Sequence, residues 1–210
     1  MKIGKPTLVV VAAALVLAFA MGARWYRGAD TGAPAVASEL LIRPYSISQG
    51  PPSAPVTVVE FFDPECESCR EMYPIVKQVQ AEFGDQMRLV IRYMPLHQNS
   101  AYAASLLEAA RDQNRYWEFL EIVLARQPEW ASHAAPRPEL LIGYAAPAGL
   151  DPERLRVAAT DPAIRARIEQ DQQDGLALGA NRTPTFFING KRLAQLGHAQ
   201  LRAAIRAELN

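Results

Sequence analysis

Two cysteines separated by two residues are the feature that most constrains the fold of this chain. Cys66 and Cys69 are the only cysteines among its 210 residues. They come soon after the run VTVVEFF, residues 56–62, whose β-branched and aromatic residues are typical of a buried strand. If both cysteines lie in the first turn of a helix, their sulfur atoms can close a small disulfide ring, and the helix N-terminus favours negative charge on the outer sulfur. The spacing therefore predicts a redox pair.

The residues after the pair have the periodicity of an amphipathic helix. Apolar side chains recur at three- and four-residue steps up to Phe83, and Gly84 is a natural C-terminal stop. Pro74 falls inside this helix and is expected to kink it. The run MRLVIRY, residues 87–93, then predicts a second strand. A strand, a helix and a strand in this order predict a right-handed parallel βαβ unit.

The remainder of the chain divides into a helical portion and a final β portion. Residues 98–180 carry helical periodicity throughout, with no convincing strand among them. The run TFFIN, residues 185–189, is followed by a glycine and by KRLA, and an Asn-Gly pair between two such runs is a hairpin signal. A closing helix is predicted from Leu201, Ile205 and Leu209, which stand at four-residue intervals. The predicted order is βαβ, a helical block, then ββα.

The N-terminus has the features of an export segment. The uncharged run of residues 7–23 follows two lysines and is apolar on every face. As a helix it would be roughly 26 Å long at about 1.5 Å per residue, slightly short of a hydrocarbon core of about 30 Å. The sequence AFA at residues 18–20 favours a cleaved signal peptide, whereas the aromatic residues of RWYR at 24–27 favour a retained membrane anchor. Either form predicts a periplasmic or extracytoplasmic protein, where disulfides persist.

The composition predicts three segments. We expect residues 1–27 to be the signal peptide or anchor, and residues 28–43, rich in Gly, Ala, Ser and Pro, to be a linker. Residues 44–210 are enough for one domain with a substantial core, and the helical insertion occupies about 98–180 of it. The 22 basic and 22 acidic residues balance. No segment concentrates lysine and arginine with aromatic residues, so nothing in the sequence points to a nucleic-acid partner.

Other uses of the cysteine pair have to be weighed. A zinc site needs two further ligands, yet no third cysteine exists and the three histidines are scattered singly, so no metal is expected. A purely structural disulfide across so short a loop removes little entropy from the unfolded chain. Two alternatives stay open: a copper-handling protein that binds Cu(I) through the two thiolates, and a non-catalytic holdase whose helical block binds unfolded chains. Tight copper binding without thiol turnover would favour the copper-handling protein. Full activity of a variant that lacks both cysteines would favour the holdase.

Four stretches together resemble the DsbA-like thiol-disulfide oxidoreductases of the thioredoxin superfamily. They are APVTVVEFFDPECESCR, RYMPLHQNS, the helical insertion and GANRTPTFFINGKRL, within about residues 44–208. The resemblance implies an α/β thioredoxin fold with a four- or five-stranded sheet, in which the helical subdomain is inserted between the βαβ and ββα halves and a hydrophobic helix precedes them. It also implies an exposed nucleophilic Cys66 and a resolving Cys69. A cis bond before Pro184 would make the Thr183 backbone a pairing edge for the substrate chain.

Glu60 lies in the middle of the first strand, six residues before Cys66. A carboxylate is costly to bury without a role or a partner, so the residue pattern alone leaves open a solvated glutamate at a sheet edge. The resemblance implies instead a buried acid beneath the pair that exchanges the proton of the Cys69 thiol, with a pKa raised by burial. His97 is the histidine nearest to the pair along the chain. We expect it to have a structural role at the start of the helical block.

The resemblance implies disulfide exchange with exported thiol or disulfide proteins in a bacterial-type cell envelope, through Cys66 and Cys69. No bound cofactor is needed, but a membrane or thioredoxin-like redox partner must reset the pair. We expect a monomer, because the residues between the export segment and the fold leave little room for a dimerisation module. Glu67, between the cysteines, is expected to oppose the thiolate on Cys66 and make the pair a milder oxidant. Whether the protein oxidises, reduces or isomerises is left open.

Overall fold

The computed structural model describes residues 39–210. The predicted export segment, residues 7–23, lies outside these residues, as does most of the predicted linker. Within the described residues, no helix has the length and apolar character needed to cross a membrane.

A mixed sheet of five strands stands at the centre of the described residues, in the spatial order β1, β3, β2, β4, β5. The strands are β1 Ile47–Gln49, β2 Val56–Phe62, β3 Met87–Tyr93, β4 Thr185–Ile188 and β5 Lys191–Arg192. β2 pairs parallel with β3 and antiparallel with β4, and β1 runs antiparallel to β3. The predicted strands β2 and β3 and the predicted hairpin are confirmed. The short edge strand β1 was not predicted.

Helices connect and cover the sheet. The long helix α1 links β2 to β3 and continues through Pro74, and six helices stand between β3 and β4 in the described chain. Their bounds are α1 Glu67–Phe83, α2 Ser100–Ala110, α3 Tyr116–Ala125, α4 Gln127–Trp130, α5 Leu140–Gly143, α6 Pro152–Ala158, α7 Pro162–Ala177 and α8 His198–Leu209. The predicted α/β architecture, with a helical block inserted between its βαβ and ββα portions, is confirmed.

Both faces of the sheet are buried. On β2, Val58 and Phe62 belong to the core formed with α1 and the helical block, whereas Val59 and Phe61 belong to a smaller core on the opposite face. Successive side chains of a strand point to opposite faces, and a strand buried on both faces has a nearly continuous apolar sequence. Gly175 of α7 packs tightly on the second face, since a Cβ at this position would lie 2.8 Å from the Phe61 ring.

A buried ion-pair cluster lies on the side of the sheet that faces α7. Arg92 of β3 is fully buried and its guanidinium donates to Asp171 at 2.8 Å and to Asp174 at 2.6 Å. Arg43 also donates to Asp174, at 2.7 Å, and the Tyr45 hydroxyl donates to Asp171 at 2.9 Å. The cluster fastens both α7 and the chain segment that enters the sheet to the central strand β3.

Candidate active site

Cys66 and Cys69 lie at the start of α1, where their spacing predicts them. Cys66 is the residue that precedes the first turn and is 8% exposed, whereas Cys69 is completely buried. Both are free thiols in this structure. Cys66 is more enclosed than the resemblance implies, because its Sγ lies 3.4 Å from the carbonyl oxygen of Thr183.

The two thiols have opposite pKa shifts. A hydrogen bond with the Cys69 thiol is the main reason that the pKa of Cys66 falls to about 5. Partial burial acts in the opposite direction and raises this pKa. Hydrogen bonds with the Thr183 side chain and with the backbone N–H groups of Ser68 and Cys69 lower it further. Burial raises the pKa of Cys69 well above its usual value. At neutral pH the outer cysteine is therefore a thiolate, which is the reactive form, and the inner cysteine is a thiol.

The structure gives Glu67 a partner that the expectation of its opposing the Cys66 thiolate did not include. The Glu67 carboxylate lies 2.8 Å from Nε2 of His133. Its pKa is lowered, first by the backbone N–H at the start of α1 and then by His133. His133 stands 66 positions away in the chain, so the pattern around the cysteines gave no sign of it. Glu67 is not among the main influences on the pKa of Cys66.

Glu60 is buried in the middle of β2, with 3% of its surface exposed. Its register partners are Ile91 on β3 and Phe186 on β4, so it sits on a central strand with a neighbour on either side. By alternation along β2 it shares a face with Val58 and Phe62, which pack toward α1. The alternative of a solvated glutamate at a sheet edge is therefore wrong.

The environment of Glu60 keeps its carboxyl group protonated at neutral pH. Burial, followed by repulsion from the Cys66 thiolate, raises the pKa of Glu60 to about 8. When Glu60 is ionised, its negative charge in turn helps to raise the pKa of Cys69. A carboxyl group that titrates near neutral pH is suited to give and take a proton.

The loop before β4 faces the outer cysteine. The Thr183–Pro184 peptide bond is cis. Pro184 and Ser68 both line a cleft of about 420 Å³ beside the pair. The structure thus brings Thr183 and Pro184 to Cys66, as the resemblance implies, although nothing in their local sequence pattern required it.

Asp63, which the sequence analysis missed, is completely buried. It ties residues 63–66 between β2 and α1, here called the redox loop, to the segment after β3. Its carboxylate accepts the backbone N–H groups of Glu65 and Leu96, each at 2.8 Å, and lies 2.7 Å from Nδ1 of His97. Its own backbone N–H donates to Cys69 Sγ at 3.5 Å. The one signal that could have identified it is an acidic residue placed directly after a buried strand.

A second missed acid, Glu65, joins the same loop to α2. Its carboxylate accepts the backbone N–H of Asn99 at 2.6 Å and the side-chain amide of Asn99 at 3.0 Å. The Ser100 hydroxyl donates to Asp63 at 2.5 Å, and its oxygen lies 3.3 Å from the Glu65 carboxylate. The Asn99 side chain does not cap α2. The carboxylates of Asp63 and Glu65 therefore organise the start of that helix.

Gln127 of α4 also holds the redox loop. It is 1% exposed, and its Nε2 donates to the carbonyl oxygens of Pro64 at 2.9 Å and Cys66 at 3.0 Å. An amide in the middle of a helical insertion carries no sequence signal for this role. The inserted helices therefore position the backbone that presents Cys66.

His97 lies at the site rather than only at the start of the helical block. Although partial burial alone would lower it, the pKa of His97 is raised by its hydrogen bond to Asp63 and by the charges of Asp63, Cys66 and Glu65. Its ring centroid is 6.2 Å from that of His133. A protonated imidazole in this position favours the thiolate form of Cys66.

We expect the reduced protein to show one thiolate titration with a midpoint near pH 5, from Cys66. The Cys69 thiol should ionise only above the usual thiol range, because burial opposes its charge. Ultraviolet thiolate absorbance of the reduced protein measures both steps. A Cys66→Ser variant is the control and should lose the acidic step alone. A single midpoint at about 8.5, the ordinary thiol value, would contradict the assignment.

The chain is similar to proteins of known structure. A family model described as thioredoxin matches residues 43–207. A thioredoxin-like oxidoreductase from Silicibacter pomeroyi is 30% identical, and the alignment covers 85% of this chain and 99% of that one, with a TM-score of 0.71. BdbD from Bacillus subtilis, solved in its oxidised form, is 26% identical over 78% of this chain and 92% of its own, with a TM-score of 0.70. A variant of alpha-DsbA1 from Wolbachia pipientis is 25% identical over 78% of this chain and 85% of its own, with a TM-score of 0.66.

Relatives in sequence include much longer proteins. The Na⁺/H⁺ antiporter NhaA of Herminiimonas arsenicoxydans is 42% identical over 145 residues, which is 69% of this chain and 22% of that protein. The chain thus spans about a fifth of the length of this relative.

Proposed function

The chain belongs to the thioredoxin family as a DsbA-like member, and from this premise we propose that it exchanges disulfides with exported proteins through Cys66 and Cys69. The observation that carries the proposal is the opposite shift of the two thiol pKa values, down to about 5 at Cys66 and up at Cys69. The proposed location is periplasmic or otherwise extracytoplasmic. Residues 1–27 would serve as signal peptide or anchor, and residues 28–43 as the linker to the domain.

In the oxidising direction, a substrate thiolate attacks the Cys66 sulfur of the Cys66–Cys69 disulfide. A substrate–Cys66 bond forms, the bond to Cys69 breaks, and the sulfur of Cys69 takes a proton. Glu60, protonated below its pKa of about 8, is the donor that the buried site provides. A second substrate thiolate then attacks the first substrate sulfur, and Cys66 leaves as a thiolate. The substrate has lost two electrons and the pair has gained them.

In the reducing direction the same groups act in reverse order. The Cys66 thiolate attacks a substrate disulfide and expels one substrate thiolate. Cys69 then gives its proton to Glu60 in the molecules in which that carboxyl group is ionised, a fraction that grows as the pH rises toward its pKa of about 8. Cys69 attacks Cys66, which releases the second substrate thiolate. The reaction needs no bound cofactor. A membrane or thioredoxin-like redox partner would return the pair to its starting state.

The lowered pKa of Cys66 favours the oxidising direction. Groups that stabilise the thiolate stabilise the reduced form of the pair, and a stabilised reduced form makes the disulfide a stronger oxidant. The substrate chain would pair with the backbone at Thr183, beside the sulfur that it attacks. Equilibration with a glutathione redox series measures the potential. A potential as reducing as that of thioredoxin, about −270 mV, would reverse the proposed direction.

The function is tested by mixing the oxidised protein with a reduced, unfolded substrate protein and counting transferred disulfides by mass spectrometry. We expect one disulfide to appear in the substrate for each pair reduced. A Cys66→Ser, Cys69→Ser double variant that retained full activity would favour a holdase instead. Stoichiometric Cu(I) binding without thiol turnover would favour a copper-handling protein.

Replacing Glu60 by glutamine is expected to slow disulfide exchange by up to about 10²-fold, the lower range of general acid–base contributions. The fold should persist, because the amide has nearly the same size. In the folded protein the raised pKa of Glu60 makes its ionisation costly, so the parent loses stability as pH rises from about 4.5 to about 8. The variant should lack this loss.

Stopped-flow exchange rates and urea unfolding at several pH values measure both effects of the Glu60→Gln change. Glu71→Gln, on the exposed side of α1, is the matched control and should change neither. Exchange rates equal to those of the parent at every pH would remove Glu60 from the site.

A further inference from the structure

We propose that this chain selects thiol substrates in which an acidic residue flanks the reactive cysteine. The inference rests on the proposed function and concerns the cleft of about 420 Å³ that adjoins Thr183 and Pro184. Ser68 at the start of α1 forms one side of this cleft, and the loop that follows β5 forms the other. A chain paired with the Thr183 backbone would extend into it.

The cleft contains two guanidinium groups and no carboxylate. Arg182 and Arg192 are exposed and line it, while none of its lining residues is acidic. Neither arginine forms an ion pair within residues 39–210, in contrast to Arg202 and Arg206, which both bind Glu82. Two unpaired positive charges are thus available to a ligand.

Arg192 lines the cleft and also lies near the segment that follows α7. Its Nη1 lies 3.6 Å from the position that a Cβ would occupy on Gly179, just beyond α7. Gly179 has a φ of +76°, a conformation that side chains rarely adopt. A Cβ at Gly179 would make only an ordinary contact with the guanidinium, so Gly179 identifies a neighbour of Arg192.

A helix N-terminus adds positive potential beside the arginines. α8 begins at His198, two residues after Leu196 of the cleft wall, and has no side-chain cap, so its first N–H groups carry partial positive charge. α1 begins next to Ser68, but its first N–H groups already bond the Cys66 sulfur and the Glu67 carboxylate. The nearest acid along the chain, Glu67, is paired with His133.

The cleft also offers an apolar wall. Leu196 is 45% exposed, one of the few large apolar side chains that remain accessible in the described chain. Apolar contact gives affinity for many unfolded chains, whereas the two arginines discriminate between them by charge. The favoured ligand is an unfolded segment in which an aspartate or glutamate stands within one or two residues of the cysteine.

The inference is tested by mixing the oxidised full chain with three reduced peptides. Each peptide has a single cysteine, and they differ only in the residue beside it, which is Asp, Asn or Lys. The measured quantity is the rate of mixed-disulfide formation at low ionic strength, in the parent and in an Arg182→Gln, Arg192→Gln variant. An Arg154→Gln, Arg165→Gln variant has the same net charge and alters exposed arginines of the helical block. Comparing one peptide between proteins cancels the intrinsic reactivity of its thiol.

In the cleft variant, we expect the rate of mixed-disulfide formation with the Asp peptide to fall about 3- to 10-fold, as two exposed ion pairs allow. The rate with the Asn peptide should not change, and the rate with the Lys peptide should rise. The control variant should match the parent, and salt should reduce the selectivity of the parent. An equal Asp-to-Asn rate ratio in the parent and the cleft variant would overturn the inference alone. If the parent oxidised none of the three peptides, the proposed function itself would fail.

Discussion

A Cys69→Ala variant is expected to accumulate mixed disulfides with exported proteins, because its Cys66 can still be attached to a substrate but nothing within the chain can release it. In the parent the pKa of Cys66 is lowered to about 5, chiefly by the Cys69 thiol. Without that thiol, the Thr183 side chain and the backbone N–H groups of residues 68 and 69 still lower it. Cys69 is wholly buried and its thiol is held neutral. It is therefore suited to attack the Cys66 sulfur rather than a substrate. Cys66→Ala should trap far fewer partners.

Diagonal non-reducing gels of cell-envelope extracts from the two variants measure the difference. The expected pattern is a set of partners below the diagonal for Cys69→Ala and almost none for Cys66→Ala, with turnover abolished in both. Cys66→Ala is also the matched control for misfolding, since it removes a sulfur from the same helix start. Equal trapping by the two variants would reverse or remove the assignment of nucleophile and resolving thiol.

The parts of the fold that sequence predicted are those whose signal is local. The run VTVVEFF became β2 with the bounds Val56–Phe62, because a strand buried on both faces must be apolar throughout. The Asn189-Gly190 turn has a positive φ at both residues, 44° and 83°, and these two residue types accept that conformation most readily. β1 was missed because a three-residue edge strand carries too little pattern to be recognised.

The parts of the site that sequence missed are those made by contacts between distant segments. Asp63 contacts Ser100, which is 37 positions away, and Gln127 reaches the Cys66 carbonyl across 61 positions. Periodicity describes which face of an element is buried, not which polar groups meet there. The buried position of Glu60 was expected only through the family resemblance, since its residue type alone favoured solvent.

Glu67 shows how a local argument about charge can mislead. Its position beside Cys66 suggested repulsion of the thiolate, but tertiary structure supplies His133 to the carboxylate at 2.8 Å. His97, held by Asp63, lies on the same side of the pair. The partner of Glu67 comes from a segment distant in sequence, which the C-x-x-C dipeptide alone does not reveal.

The other large effect expected is on stability, from Arg92→Met. This change leaves Asp171 and Asp174 buried with no cation from β3, and removing one partner of a buried ion pair costs about 3–5 kcal/mol of unfolding free energy. Burial already raises the pKa of Asp171, with Arg92 acting against it. Without Arg92 both carboxyl groups should bind protons more readily in the folded state. The loss of stability should therefore shrink as pH falls toward the ordinary range of aspartate, about 4.

Urea unfolding of the oxidised protein at several pH values measures this loss, provided that the dependence on urea concentration is unchanged. Arg88→Met is the matched control, because Arg88 lies on the same strand, is only partly buried and donates to the Ser48 hydroxyl rather than to a carboxylate. Its loss should stay below about 1 kcal/mol. Adding Asp171→Asn to Arg92→Met should restore part of the stability at neutral pH, since one uncompensated charge is removed. Equal losses for the two arginines, or a loss for Arg92→Met that does not change with pH, would show that the cluster stabilises the fold by packing rather than by charge.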